Sequence, residues 1–159
     1  MKFAFCLFKY FPFGGMQKNF LNIAAECHKQ GHEIIVLCGE WQGDKPDFLQ
    51  LKLFQAKGLS NHARNKSLAG QFSEYIKQHK FDSVVGFNKM PGLDVYYAAD
   101  GCFATKSAEK HGRLYALTPR YRQSIEDEKA VFSKHGNTEI LMVSEKQIPN
   151  FVQHYQTEK

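Results

Sequence analysis

Three short polar stretches interrupt the apolar runs of this chain where backbone and side-chain groups can meet a ligand. Gly14-Gly15 follows the apolar run Phe3 to Phe8 and the exit Lys9-Tyr10-Phe11-Pro12-Phe13. Asn88-Lys89-Met90-Pro91-Gly92 follows Ser83 to Phe87, and Asp100-Gly101-Cys102 follows Asp94 to Ala99. A glycine pair at a helix start lets a phosphate approach backbone N–H groups at the positive end of the helix dipole; the same pair also makes a tight strand-to-helix turn. The pair fits neither the dinucleotide-binding fingerprint nor the P-loop pattern, so both sites are disfavoured.

Asp100 is placed either to hydrogen-bond a sugar hydroxyl or act as a base, or to cap the helix that follows. Asn88 and Lys89 bring an amide and an ammonium, groups suited to a hydroxylated, anionic ligand, or else they belong to a solvated loop stiffened by Pro91. Asp94 reads as the start of a strand, Asn19 as solvent-facing, and His62 in Asn61-His62-Ala63-Arg64-Asn65 as an exposed residue of a first helical turn. No pair of His, Cys or acidic residues has zinc-like spacing, so no metal is expected.

The elements that must position these groups alternate between strand and helix. Lys2 to Phe8 and Glu33 to Cys38 are short and apolar, as buried strands are. Between them Gln17 to Gln30 carries Phe20, Leu21, Ala24, Ala25 and Cys27 near helical spacing, and Gly31 follows where a left-handed cap residue is wanted. That order makes a βαβ unit. Leu49 to Phe54 predicts a third, more exposed strand, and Asn61 to His79 an amphipathic helix buried through Leu68, Phe72 and Ile76. Ser83 to Phe87 and Asp94 to Ala99 are the fourth and fifth strands. Lys106 to Lys134 is mostly helical but broken near Gly112 and Pro119, Glu139 to Val143 is the sixth strand, and Glu145 to Tyr155 the last helix.

The expected fold is α/β, a Rossmann-like doubly wound, mainly parallel sheet of about six strands with helices on both faces. In such sheets ligands bind at the carboxyl ends of the strands, where the three polar stretches should converge.

At 159 residues the chain is the size of one domain, with 43% apolar and 23% charged residues, which excludes a disordered or fibrous class. No apolar run reaches the ~18–20 residues of a membrane span, and the first eight residues lack a signal-peptide cleavage site. Cys6, Cys27, Cys38 and Cys102 form no CxxC pair and suit a reducing cytoplasm. The net charge of +5 suits anionic partners in general. Part of it lies in Phe103 to Phe132, where Lys106, Lys110, Arg113, Arg120 and Arg122 mix with Phe103, Leu114, Tyr115, Leu117 and Tyr121. That mixture fits an anionic membrane surface, or an amphipathic core helix with a basic outer face; Glu126-Asp127-Glu128 interrupts any uniform patch.

Several segments together resemble a known family: Phe5-Cys6-Leu7, Lys9 to Gly15, Asn61 to Asn65, Val84 to Tyr96, Arg120-Tyr121-Arg122 and His154-Tyr155-Gln156-Thr157-Glu158. They are similar to the lipopolysaccharide core glucosyltransferase I family, GT-B enzymes of retaining glycosyltransferase family 4. The most specific stretch is Val84-Val85-Gly86-Phe87-Asn88-Lys89-Met90-Pro91-Gly92-Leu93-Asp94-Val95-Tyr96.

The resemblance implies transfer of glucose from UDP-glucose to an inner-core heptose of lipopolysaccharide, without a metal or other cofactor. It places the enzyme in the cytoplasm, peripheral at the inner membrane of a Gram-negative bacterium. Gly14 and Gly15 would match the donor-phosphate loop and Asp100 a position beside the donor sugar, the catalytic candidate. Asn88, Lys89, Met90, Pro91 and Gly92 would line the acceptor side. Lys106, Lys110, Arg113, Tyr115, Arg120, Tyr121 and Arg122 would contact the membrane.

Asn19 stands where the resemblance implies an acidic residue. GT-B enzymes have two Rossmann-like domains, so residues 1–159 are expected to be the N-terminal, acceptor-side domain, nearly inactive without a C-terminal nucleotide-sugar-binding domain. The expected partners are UDP-glucose, the lipopolysaccharide inner core, an anionic membrane surface and that absent domain, but no nucleic acid. The alternative is a non-catalytic module that binds a membrane surface or lipopolysaccharide. A flavodoxin-type nucleotide domain is disfavoured, because no Ser/Thr-rich loop follows the first strand.

Overall fold

The computed structural model describes residues 1–157; Glu158, Lys159 and the side chain of Arg113 lie outside the described residues. Six strands, β1 (Lys2–Tyr10), β2 (Glu33–Trp41), β3 (Leu49–Leu53), β4 (Ser83–Gly86), β5 (Val95–Ala98) and β6 (Glu139–Met142), form one sheet in the order β3-β2-β1-β4-β5-β6. Every neighbouring pair is parallel. The strand order reverses between β1 and β4, which is the switch point of a Rossmann-like sheet.

Two cores follow from the two-residue period of the strands. Ala4 and Cys6 of β1, with Ile35 and Leu37 of β2, face one cluster; Phe5 and Leu7, with Ile34, Val36 and Cys38, face the other. The second cluster is closed by α1 (Gly15–Lys29) through Phe20 and Ala24. The first is closed by α2 (Asn61–Gln78), α3 (Phe103–Lys110), α4 (Pro119–Phe132) and α5 (Ile148–Tyr155), which bury Leu68, Phe72, Ala104, Val131, Phe132, Phe151 and Tyr155. Gly31 has φ +83°, the left-handed cap that the sequence predicts. The helical segment is interrupted near Gly112 and before Pro119, as the sequence predicts, and Pro119 opens α4, since its missing N–H is an orphan in a first turn anyway.

β1 and β2 run farther than their apolar cores. Past Cys6, β1 has no partner residue on β4 and pairs with β2 alone as far as Tyr10↔Trp41. Lys9 and Glu40 face each other there in a 2.9 Å ion pair, and Tyr10 stacks on Trp41 at 3.9 Å. The apolar pattern stops at Phe8 because the extension is held by charge pairing and stacking. Leu53 is left 61% exposed because β3 is an edge strand.

The link between parallel strands β4 and β5 is eight residues, 87–94, without a helix. It returns along the sheet with Met90 and Leu93 buried in the first core. A Cβ at Gly86 would meet Leu93 Cδ1 at 2.2 Å and Cδ2 at 2.7 Å, so glycine in β4 is what lets this short return lie against the strand. Gly86→Ala is expected to lower stability by about 1–3 kcal/mol through overpacking, read as a lower denaturant midpoint at unchanged slope.

Candidate functional site: a cleft at the carboxyl ends of the strands

Where β1 outruns β4, the ladder is completed by a side chain. Phe87 N–H donates to the Cys6 carbonyl at 3.0 Å, and the next N–H in line, that of Phe8, donates to Asn88 Oδ1 at 2.8 Å. Asn88 is thereby fixed with its oxygen committed and its NH2 group available. Two adjoining depressions share Phe8, Asn65 and Asn88. The first, about 510 Å³, lies between the exits of β1 and β2 and the start of α2, and is lined by Gln17, Glu40, Asn61 and Arg64 among others. The second, about 300 Å³, is lined by Lys89, Asp100, Gly101, Lys106 and Asp127.

Lys89 is held from the side by a residue that the sequence pattern concealed. Glu128 of α4 is completely buried; its Oε1 accepts from Lys89 Nζ and from Phe103 N–H at 2.8 Å. Its Oε2 accepts from Ala104 N–H at 3.0 Å and from the Tyr155 hydroxyl at 2.7 Å. The carboxylate therefore occupies the amino end of α3, where the helix dipole favours negative charge and where Cys102 supplies no side-chain cap.

Burial alone would raise the Glu128 pKa; the Lys89 ammonium and the hydrogen-bond donors outweigh it and hold the carboxyl below its ordinary range. The Tyr155 phenol is pushed up, by burial first and then by Glu128. Lys89 also donates to the Gly101 carbonyl at 3.1 Å, so one ammonium joins the loops after β4 and β5. Helical spacing from Val131 and Phe132 turns position 128 inward, which is the signal that could have found it; within Glu126-Asp127-Glu128 it looked like part of an exposed acidic run. Asp127 next to it lines the second depression, and burial raises its carboxyl above the ordinary range.

The stretch Asn88 to Gly92 is divided by the short return. Asn88 and Lys89 line the cleft, whereas Met90 is 1% exposed in the core, Pro91 is exposed, and Gly92, at φ +81°, lies beside Asp94 and Val84 at the amino end of the sheet. The expectation of one ligand-lining loop is corrected to that extent: a parallel crossover must travel the length of the sheet, so five successive residues cannot stay at one end. Asp94 does more than begin a strand, since its Oδ2 accepts from Val84 N–H at 2.7 Å.

Gly14 is the N-cap of α1 and Gly15 its first residue; no side chain caps this helix and no acidic residue lies in its first turn. Gly14 has ordinary extended dihedrals, and a Cβ there would collide with the Gln17 side chain. A Cβ at Gly15 would meet nothing within 4 Å. Asp100 is exposed at the rim of the second depression and does not cap α3, because Glu128 takes that place. His62 bonds Ser60 Oγ at 3.2 Å, and Ser60 caps α2 by accepting from Ala63 N–H, so the histidine belongs to a helix start.

No protein-family model matches the chain. The curated lipopolysaccharide glucosyltransferase WaaG of Escherichia coli (strain K12) is 47% identical over 155 residues, 98% of this chain and 41% of the relative. A crystal structure of WaaG, described as a glycosyltransferase involved in lipopolysaccharide biosynthesis, matches with a TM-score of 0.96 over 98% of this chain and 42% of that one. Over nearly its whole length the chain is similar to WaaG. It spans about two fifths of that relative's length, and its six-stranded sheet is the fold of a WaaG domain. The family resemblance carried by the motifs thus holds over nearly all of the chain.

Two features are to be placed within the WaaG likeness. Asn19, at the position where an acidic residue was expected, donates from Nδ2 to the Tyr97 hydroxyl at 2.7 Å, a bond that fixes its amide against β5. The basic and aromatic segment splits: Lys106 lines the cleft, while Lys110, Arg120 and Arg122 are exposed and Tyr115 and Tyr121 pack on each other at 5.8 Å. Between them the 3-10 helix Arg113–Leu117 presents Leu114 at 80% and Leu117 at 64% exposure.

Proposed function

We propose that this chain is the N-terminal, acceptor-side domain of a retaining glycosyltransferase of GT-B type. The enzyme would transfer glucose from UDP-glucose to an inner-core heptose of lipopolysaccharide, with no metal. The observation that carries this reading is the 47% identity and 0.96 TM-score to WaaG, joined to polar groups gathered at the switch point of the sheet. In this reading the uncapped start of α1 faces the donor phosphates, and the open space over Gly15 is where they approach. Asp100 sits beside the donor sugar, and Asn88 and Lys89 on the acceptor side. Most nucleotide-sugar contacts belong to the part of the relative that this chain does not span. Positioning of two reactants supplies up to ~7–11 kcal/mol of barrier reduction, so the 159-residue stretch alone transfers little glucose.

The exposed Leu114 and Leu117 among Lys110, Arg120 and Arg122 suit a peripheral, anionic membrane surface on the cytoplasmic side. They are also the observation that favours a second reading, a non-catalytic surface-binding module. One experiment separates the two. Joined to the rest of the relative's chain, the protein is expected to transfer glucose from UDP-glucose to core lipopolysaccharide lacking that glucose, while residues 1–159 alone give almost none. Salt-sensitive binding to anionic vesicles with no transfer by the joined protein would leave the second reading standing and remove the first.

A further inference from the structure

The larger depression carries a charge that the reading above does not use. Arg64, on the first turn of α2, lines it together with Asn61, Asn65 and Asn88. Among the described residues no carboxylate lies within salt-bridge distance of Arg64. Glu40, which lines the same depression, is engaged first by Lys9 at 2.9 Å and by Gln42 Nε2 at 2.6 Å; these, with a smaller through-space contribution from Arg64, hold its carboxyl below the ordinary range.

Asn88 has its oxygen spent on Phe8 N–H, and Gln17 donates to the Lys9 carbonyl at 3.5 Å. The strong donors on offer are one guanidinium fork and the Asn88 NH2, beside the Asn61 and Asn65 amides, which can donate or accept. A fork of this kind recognises a carboxylate or phosphate bidentately, and amides recognise hydroxyls. The 510 Å³ volume, with Phe8, Phe11 and Leu68 on the wall beside these polar groups, suits a sugar, whose ring stacks its apolar face while its hydroxyls are bound.

We infer that this depression is a subsite for an anionic, hydroxylated saccharide, with Arg64 as charge partner and Asn65 and Asn88 as hydroxyl contacts. It rests on the reading of the chain as the acceptor-side domain and makes that side charge-selective: the sugar that enters carries a carboxylate or phosphate near the reacting ring. Asn65 and Asn88 also line the second depression beside Asp100, so a saccharide anchored at Arg64 extends toward the groups placed beside the donor sugar.

The test is calorimetric or NMR titration of the 159-residue chain with core oligosaccharide that lacks the glucose and has been freed of lipid. The oligosaccharide is used intact, dephosphorylated, or with its carboxyls reduced. Arg64→Ala is expected to weaken binding of the intact oligosaccharide by about 10-fold or more, since hydrogen bonds to charged groups are the stronger class. One of the two neutralised oligosaccharides should bind the unsubstituted chain as weakly as the intact one binds the variant, which names the anion. Arg64 is exposed, so the variant should keep its circular dichroism spectrum and melting temperature. Binding that is unchanged by Arg64→Ala, or equal for all three oligosaccharides, overturns the charge-selective subsite and leaves the glucosyltransferase reading intact. No binding of any oligosaccharide to the unsubstituted chain overturns the subsite, and absence of transfer by the joined protein separately overturns the reading on which it rests.

Discussion

Glu128→Ala should be among the most damaging substitutions available in this chain, at about 3–5 kcal/mol, because it leaves the largely buried Lys89 ammonium without its counter-ion. The same change strips partners from Phe103 N–H, Ala104 N–H and the Tyr155 hydroxyl, all of which now converge on one carboxylate. For a domain of this size that loss corresponds to a fall of roughly 10 °C or more in Tm. Glu128→Gln keeps the volume and one acceptor oxygen and should recover part of it. Lys89→Met should cost less than Glu128→Ala, since the carboxylate then keeps two amides and a hydroxyl.

The pH dependence has a definite sign. Glu128 titrates below its ordinary value in the folded chain, so the unfolded chain binds its proton at a higher pH than the folded one. The stabilisation is complete above the unfolded value of about 4.3 and is lost as pH falls below that through the folded value. Thermal melts between pH 7 and pH 3 should therefore show a shallower acid decline for Glu128→Gln than for the unsubstituted chain. An unchanged acid slope would mean that the carboxylate is not ionised in the folded state.

Phe132→Ala is expected to cost about 3–5 kcal/mol, as large aromatic truncations in closed cores do. Phe132 is 1% exposed, stacks on Phe151 at 3.8 Å and 7°, and meets Tyr96 edge-on at 5.7 Å, so it joins α4, α5 and β5 at one point. The Lys89 ammonium lies 5.8 Å from its ring, which ties this aromatic cluster to the Glu128 network. The double substitution with Glu128→Ala should accordingly fall short of the sum of the two, by the coupling expected of residues that share a partner. Denaturant midpoints for the two single variants and the double variant measure it directly; strict additivity would show that the ring and the ion pair are independent.

The sheet was legible in the sequence because most of its strands are short apolar runs bounded by turn residues, and a strand buried on both faces leaves no other reading. The ends were less so. β1 and β2 continue through Lys9 and Glu40, whose types argue for a loop and whose pairing is visible only when the two strands lie side by side. Of the cleft, Asn88, Lys89 and Asp100 were legible from the rule that ligands meet the carboxyl ends of strands. Met90 was misplaced because nothing in the local sequence says that the β4 to β5 return is too short for a helix and must dive under the sheet. Glu128 was passed over because its neighbours Glu126 and Asp127 made it look solvated, and its burial depends on donors drawn from three other segments. Arg64 was visible only as part of a motif, since its lack of an ion-pair partner among the described residues is a property of space and not of spacing.

The rung between Phe8 and Asn88 has a consequence for how this fold can diversify. Rungs made by main chain to main chain are indifferent to the residue, so mutation rarely edits them. Here one rung at the centre of the sheet, beside the cleft, is written in a side chain and is open to change by a single codon. Replacing Asn88 would strip Phe8 N–H of its partner on the β4 side and reshape both depressions at once, while the pairing of β1 with β2 and the rungs below Cys6 stay as they are. A domain built this way can vary the mouth of its cleft without renegotiating the sheet that carries it.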